Sequence, residues 1–320
     1  MSTPTAIDVI VSDVVEVNPL IKRFHFKQAD GGLLPAFSGG AHIVIEMQDG
    51  DQVRRVPYSL MSSPLDTSDY QCSIRRDDEG RGGSLYMHRE VVPGMAMRIS
   101  PPANLFALDL RANKHLMIAG GIGITPFIAQ TNQLERTGGL YELHYGARSP
   151  ELGAYVDELQ ESLQHRLHLY YDDQNQAMDF DTLLSTQPAG THLYVCGPAP
   201  MIDKVLNTAR SAGWPESHIH FEHFAKAPPG EVFTAELSQS CISVEVGREQ
   251  SLLEAMEAAG IDAPYLCRGG ACGHCETDVL DCDGEILHED FWLDDEQRAS
   301  GQKIMPCVSR FCGKRLVLSR

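Results

Sequence analysis

Nine consecutive residues, Cys267-Arg268-Gly269-Gly270-Ala271-Cys272-Gly273-His274-Cys275, constrain this chain more than any other stretch. Their cysteines follow the spacing C-x4-C-x2-C. This run ties three thiolates around a plant-type [2Fe–2S] cluster while a distant cysteine supplies the fourth. Three sulfurs can converge on two irons only if the backbone curls tightly, and Gly269, Gly270 and Gly273 permit conformations that a Cβ forbids. They also let backbone N–H groups approach the sulfurs, where hydrogen bonds tune a metal site. Cys307, in Met305-Pro306-Cys307-Val308-Ser309-Arg310, is the best fourth ligand, because it opens a short apolar run that reads as a returning strand. Cys282, in the polar turn Asp281-Cys282-Asp283-Gly284, and Cys312 are weaker candidates. A structural zinc site usually pairs two short C-x2-C knuckles, and the second is missing. A Rieske-type centre needs two His and two Cys, so His274 between two ligands is expected to be exposed.

At 320 residues, two or three domains are expected. The formal charge of −18 argues against nucleic acid, which would be repelled, and no basic stripe is visible. Residues 231–320 hold 17 acidic against 8 basic side chains, so half of the excess lies in under a third of the chain. That suits a surface that docks transiently on a basic partner, and equally a well-solvated acidic face. The start, Met1-Ser2-Thr3-Pro4-Thr5-Ala6-Ile7, has no basic n-region and no apolar h-region, so no secretory signal is expected. No stretch approaches 18 uninterrupted apolar residues, which speaks against a membrane span. Nine cysteines without a secretory signal imply reduced thiols and a cytoplasmic protein.

Residues 1–110 alternate in period two. Strands are expected over Ile7–Val17, Ile21–Lys27, His42–Met47, Val53–Leu60 and Tyr70–Arg75, forming a small antiparallel β-barrel. In Pro57-Tyr58-Ser59-Leu60, a Tyr beside a Ser can offer a ring to a flavin face and a hydroxyl to its N5 edge. Gly82-Gly83-Ser84, entering a helix near Leu85–Val91, can aim free N–H groups at a phosphate.

Residues 111–228 read as an α/β parallel-sheet domain. The apolar strand Leu116–Ala119 runs into Gly120-Gly121-Ile122-Gly123-Ile124-Thr125-Pro126 and a helix over Phe127–Glu135, with Gly121, Gly123, Thr125 and Pro126 forming a pyrophosphate seat. Pro126 takes the place of the last glycine of G-x-G-x-x-G, so the Rossmann fingerprint fails. Strands over Leu140–Tyr145, Leu167–Tyr171 and His192–Cys196 alternate with helices near Tyr155–Leu163, Asp181–Leu184 and Met201–Ala212. The turn Cys196-Gly197-Pro198-Ala199-Pro200-Met201 puts Cys196, Gly197, Pro198 and Met201 at a carboxyl edge, where open α/β sheets bind ligands. Asp172, after one strand, can bind adenosine ribose hydroxyls and repel a 2′-phosphate. NADH is therefore expected over NADPH, tempered by Arg148 after the neighbouring strand. Ala225-Lys226-Ala227-Pro228-Pro229-Gly230 reads as a hinge into residues 229–320. There strands are expected over Phe233–Leu237, Ile242–Val246 and Lys314–Ser319, and a helix over Ser251–Ala259 carries a capping box of Ser251 and Glu254.

On Pro57-Tyr58-Ser59-Leu60-Met61-Ser62-Ser63-Pro64, Gly82-Gly83-Ser84, the glycine turn and the cysteine loop, the chain resembles the phthalate dioxygenase reductase family over essentially all its length. These are the FMN-, NADH- and [2Fe–2S]-containing reductases of two-component oxygenases, and the subgroup serving carnitine and related quaternary amines is the nearest. The resemblance implies that Tyr58, Ser59, Leu60, Ile74 and Arg75 contact FMN, with Gly82, Gly83 and Ser84 at its phosphate. It puts Cys196 beside the nicotinamide C4, lets Phe224 cover the flavin ring, and gives residues 229–320 the β-grasp layout of plant-type ferredoxins. Phe224 could equally be core packing. The family pattern places Arg two residues before the Tyr, where this chain has Val56. Arg55 lies on the opposite face from Tyr58 by strand parity and Arg54 on the same face, so either could reach the phosphate, Arg55 with the help of a bulge at Val56-Pro57.

A hydride carries two electrons and a [2Fe–2S] cluster accepts one at a time, so a flavin between them is chemically required. The expected path runs from NADH to FMN to the cluster to an oxygenase's Rieske centre, the oxygenase acting on carnitine, another quaternary amine or an aromatic acid. Rival readings are a reductase for a haem monooxygenase and a non-catalytic redox sensor. The two glycine-rich phosphate seats argue against the sensor.

Overall fold

Alternate residues that are wholly buried build the N-terminal sheet: Phe24 and Phe26 on one strand, Ile43, Ile45 and Met47 on another, and Tyr70, Cys72 and Ile74 on a third. In a computed structural model describing residues 6–50 and 52–320, these lie on β1 (Ile7–Asn18), β2 (Ile21–Gln28), β3 (Ala41–Asp49), β4 (Gln52–Ser59), β5 (Tyr70–Arg75), β6 (Ala96–Ile99) and β7 (Ala103–Asn104). The opening Met1–Thr5, where no signal is expected, and Asp51 lie outside the described residues. The sheet runs β4-β3-β6-β1-β2-β5 with β7 on β3. Beyond β4 the Met61 N–H donates to Gln71 O on β5 at 2.9 Å, tying the two outer strands together. Pro57 is tolerated because β4 is an outer strand, where a missing N–H breaks little of the ladder. The expected helix is α1 (Gly83–Arg89), starting two residues earlier than its apolar pattern indicates.

The second sheet is wholly parallel, in the order β10-β9-β8-β11-β12, and comprises β8 (Lys114–Gly120), β9 (Tyr141–Ala147), β10 (Leu167–Tyr171), β11 (Thr191–Cys196) and β12 (Ile219–Glu222). Its helices are α2 (Thr125–Thr137), α3 (Val156–Leu163), α4 (Phe180–Ser185) and α5 (Ala199–Ser211). Central β8 reads as an unbroken apolar run because both of its faces are covered. Leu116 and Ile118 cluster with Ile202, Val205 and Leu206 of α5, whereas Met117 and Ala119 cluster with Phe127, Leu143 and Tyr194. The strand order reverses between β8 and β11, and at such a switch point the carboxyl ends open a crevice.

The amino-terminal half of this sheet carries a histidine cluster. The imidazoles of His192 and His220 meet Nδ1 to Nε2 at 3.0 Å, His218 stacks on His192 with centroids 4.1 Å apart, and Asp109 lies 4.0 Å from His192. Burial, joined by the neighbouring histidines, pushes both His115 and His220 down to about 4. A histidine with a depressed folded value stabilises fully above its unfolded value and loses that contribution as pH falls below it. Stability should therefore drop between about pH 6.5 and pH 4, with Tm lower at pH 5 than at pH 7.5 by about 5 °C in a thermal melt.

The C-terminal part contains β13 (Phe233–Leu237), β14 (Ile242–Val246), α6 (Leu252–Ala258), β15 (Thr277–Cys282), β16 (Glu285–Leu287), α7 (Asp295–Ser300), β17 (Lys303–Ile304), β18 (Arg310–Cys312) and β19 (Arg315–Leu318). The main sheet runs β14-β13-β19-β15-β17, and β16 pairs with β18. Ser251 caps α6 through the expected reciprocal pair with Glu254. Cys307 does not open a strand. The N–H groups of Val308 and Ser309 both donate to Met305 O, so the chain turns there, and the strand begins only at Arg310. Two compact units result: residues 6–45 with 58–223, and residues 46–57 with 224–320.

Candidate functional site

The cysteine loop follows α6. Gly270 (φ 75°) and Gly273 (φ 70°) take left-handed conformations that favour glycine, and Arg268 (φ 53°) does so without that freedom. A Cβ on Gly270 would stand 2.7 Å from Val308 Cγ2, and one on Gly273 would stand 2.6 Å from Trp292 Cζ2, so both positions also demand the smallest residue. Gly269 N–H approaches Cys267 Sγ at 3.3 Å, and Phe291 N–H donates to Gly270 O at 3.0 Å, drawing a covering segment over the loop. Asp290, fully buried, anchors that segment by accepting from Leu293 N–H at 2.9 Å.

The four expected ligand sulfurs come together. Cys275 Sγ and Cys307 Sγ are 3.3 Å apart, and the Cys267 and Cys272 thiols are hydrogen-bonded partners. The Cys272 thiol and, against burial, the amides of Gly269, Ala271 and Cys272 hold Cys267 well below the ordinary thiol range. The Cys307 thiol, against burial, lowers Cys275 as well. Their partners are shifted the other way: pairing with Cys267 and burial raise the Cys272 thiol, and pairing with Cys275 and burial raise the Cys307 thiol. Four convergent cysteine sulfurs approached by backbone amides are the donor set that an iron–sulfur cluster takes. Cys282 ends β15 with its thiol toward Gly284 O at 3.6 Å, and Cys312 is exposed on β18. His274 is partly exposed.

In the other unit, two glycine turns meet at the switch point. Gly121 (φ 54°) opens a short 3-10 turn, and Thr125 and Pro126 form the buried first turn of α2. A Cβ on Gly123 would lie 2.6 Å from the Cys196 carbonyl carbon, and one on Gly197 would lie 3.0 Å from Gly120, so the turns after β8 and β11 approach as only glycines can. Pro198 caps α5, and Met201 N–H donates to its carbonyl at 2.9 Å. Such a cradle fits a pyrophosphate. Arg148 and Asp172 follow β9 and β10, whose last residues Ala147 and Tyr171 are in register, and both are exposed.

Cys196, wholly buried, pairs with Glu222 across β11 and β12. Ser59 Oγ lies 3.4 Å from Glu222 Oε2, so the end of β4 reaches the same carboxyl edge. Burial, joined by the Glu222 carboxylate, pushes the Cys196 thiol well up. Glu222 was not expected from the sequence. The available signal was an acid in the short stretch Phe221-Glu222-His223-Phe224, which does not reveal its strand partner. Leu60 is buried with its N–H on Ala41 O, Ile74 is buried on β5, and Arg75 is exposed. Burial raises the Tyr58 phenol far above its usual range. Gly82 (φ 93°) precedes Gly83 at the start of α1, and Ser84 Oγ accepts from Asp77 N–H at 3.1 Å. Phe224 keeps 49% of its surface exposed, so it is not core packing. Arg54 pairs with Asp49 at 2.8 Å, and Arg55 with Glu46 at 2.9 Å and Glu257 at 3.5 Å.

A parallel sheet with a glycine cradle at its switch point, an antiparallel sheet bearing Tyr-Ser, and a four-thiol loop together define an iron–sulfur oxidoreductase with flavin- and nicotinamide-binding modules. Residues 236–312 match the family described as 2Fe-2S iron-sulfur cluster binding domain, and residues 95–219 match that described as dimethylamine monooxygenase subunit DmmA-like, N-terminal domain. The solved structure of phthalate dioxygenase reductase, described as modular for electron transfer from pyridine nucleotides to [2Fe–2S], is 32% identical with a TM-score of 0.87 over 98% of each chain. A carnitine monooxygenase reductase subunit of Acinetobacter baumannii is 46% identical over 97% of this chain and 96% of its own. A heme-dependent oxidative N-demethylase beta subunit of Ectopseudomonas mendocina is 44% identical over 98% of this chain and 99% of its own. The chain belongs to the phthalate dioxygenase reductase family, oxidoreductases whose cofactors are FMN, NADH and a [2Fe–2S] cluster. Among the described residues no helix is long and apolar enough to cross a membrane.

Proposed function

We propose that this chain is the NADH-dependent reductase component of a two-component Rieske oxygenase acting on carnitine, another quaternary amine or an aromatic acid, and that it works in the cytoplasm. What carries the reading is the meeting of Ser59, Glu222 and Cys196 at one carboxyl edge, in a chain that also gathers four thiols. Bound there, the groups would supply hydride acceptance from NADH by FMN, its division into single electrons for the cluster, and delivery to the oxygenase. Residues 1–110 would hold the flavin, residues 111–228 the nicotinamide and residues 229–320 the cluster.

The chain's own work is binding, orientation and exclusion of water. Tyr58, Ser59, Leu60, Ile74 and Arg75 would seat the flavin ring, with Gly82, Gly83 and Ser84 at its phosphate. Gly121, Gly123, Thr125, Pro126, Gly197, Pro198 and Met201 would cradle the dinucleotide, and Cys196 would stand beside the nicotinamide C4. Cys196 stays a neutral thiol, which suits a packing role against a hydride donor better than a nucleophilic one. Phe224 would cover the flavin when nicotinamide is absent. Cys267, Cys272, Cys275 and Cys307 would hold the cluster.

Cytochrome c reduction by the reconstituted protein, driven separately by NADH and NADPH, tests the reading. Activity with NADH is expected, whereas no activity with either donor would leave a redox sensor. Asp172→Ser should narrow the preference for NADH over NADPH by about ten- to hundredfold, because the like charge facing a 2′-phosphate is gone. An unchanged ratio would move discrimination elsewhere. The heme-dependent N-demethylase relative supports a second reading, a haem-containing acceptor. Pull-down of the native acceptor followed by its visible spectrum separates the two, since a Rieske centre and a haem absorb differently.

A further inference from the structure

Four charged side chains alternate in sign through the unit that holds the cysteine loop. Glu46 on β3 meets Arg55 on β4 at 2.9 Å, Arg55 meets Glu257 on α6 at 3.5 Å, and Glu257 meets Arg268 of the loop at 2.7 and 2.8 Å. The last contact is a bidentate fork, and the Arg268 side chain is only 4% exposed. A guanidinium buried that deeply persists only with a well-placed carboxylate. Glu257 itself is 10% exposed and serves two arginines, so Arg55 supplies the second positive charge that keeps the buried carboxylate balanced. The Tyr265 ring lies 4.5 Å from the Arg268 guanidinium and closes the assembly.

Two features give this chain of charges a purpose beyond stability. Arg268 occupies the first position between Cys267 and Cys272, and its left-handed backbone is a conformation that a non-glycine residue keeps only when its surroundings hold it. Arg55 turns all three guanidinium nitrogens to carboxylates, Nε and Nη2 to Glu46 and Nη1 to Glu257, and presents none to a phosphate. We propose that Arg55 is a positioning residue for the cluster loop: through Glu257 it holds Arg268, and so fixes the turn that sets Cys267 against Cys272. The inference rests on the reading of the loop as the cluster site. It leaves the flavin phosphate to the Gly82-Gly83-Ser84 turn.

The test compares holoprotein of wild type, Arg55→Met, Arg55→Lys and Glu257→Gln in three readouts: flavin per chain after extraction, the cluster's EPR spectrum, and amide hydrogen exchange over residues 267–272. Arg55→Met should keep its flavin, shift the EPR spectrum, and exchange loop amides about tenfold faster than wild type as local opening becomes easier. Glu257→Gln should do the same, and Arg55→Lys, which keeps the charge, should recover part of the protection. Loss of flavin from Arg55→Met with loop exchange and EPR unchanged would make Arg55 a phosphate ligand and overturn the proposal, as would no change in any readout. Wild-type protein lacking cluster or flavin would instead defeat the functional reading itself.

Discussion

Cys307→Ser protein is expected to lose the visible absorbance of the iron–sulfur cluster while NADH still bleaches its flavin. Cys307 Sγ is 3.3 Å from Cys275 Sγ, and Cys307 lies on the turn at Met305–Ser309. Neither remaining candidate can substitute without rebuilding a strand, because Cys282 closes β15 and Cys312 lies exposed on β18. A serine oxygen is a poor replacement for a thiolate at an iron–sulfur site, so cytochrome c reduction should fall more than about 100-fold. The flavin half-reaction survives because Ser59, Glu222 and Cys196 belong to the other compact unit. Absorbance that persists in Cys307→Ser would move the fourth ligand to Cys282 or Cys312.

Arg310→Met should unfold the C-terminal unit at markedly lower denaturant. Arg310 is 1% exposed, and its guanidinium donates to three backbone carbonyls, Gly247 O at 2.9 Å, Glu231 O at 2.7 Å and Gln250 O, while lying 5.3 Å from the Phe233 ring centroid. Methionine fills most of the volume but leaves those carbonyls without their charged donor. The loss should be about 3–5 kcal/mol, given ~1.5–3 for each charge-assisted bond and partial relaxation. Chemical denaturation followed by far-ultraviolet circular dichroism checks it, and a change under about 1 kcal/mol would show that water replaces the guanidinium at little cost.

The cysteine loop was legible in the sequence because four sulfurs around two irons dictate a spacing that survives any surrounding fold. The glycine turn after β8 was legible for a similar reason, since a strand, a turn without Cβ atoms and a Pro-started helix leave a local trace. Strands with wholly buried alternation, such as Tyr70–Arg75, were found to the residue. What escaped depends on tertiary pairing. Glu222 gains its place only from the parallel register that sets it against Cys196, and β12 has just four residues, two of them His and Glu. The polar helix α7 has no apolar stripe and announces itself only through the reciprocal cap of Asp294 and Gln297. Arg268 shows no sign of its left-handed backbone or its carboxylate partner, because both come from α6 packing beside the loop. The run opened by Cys307 misled, since Val308 is a core residue on a turn and not on a strand.

Anaerobic stopped-flow mixing of reconstituted protein with NADH, followed at flavin and cluster wavelengths and by freeze-quench EPR, bears most directly on the claim that electrons pass from nicotinamide through flavin to four-thiolate iron. The expected result is flavin bleaching first, then a reduced [2Fe–2S] signal in the same molecules. A protein that carries zinc instead of iron, or whose cluster stays oxidised while its flavin is fully reduced, would contradict it.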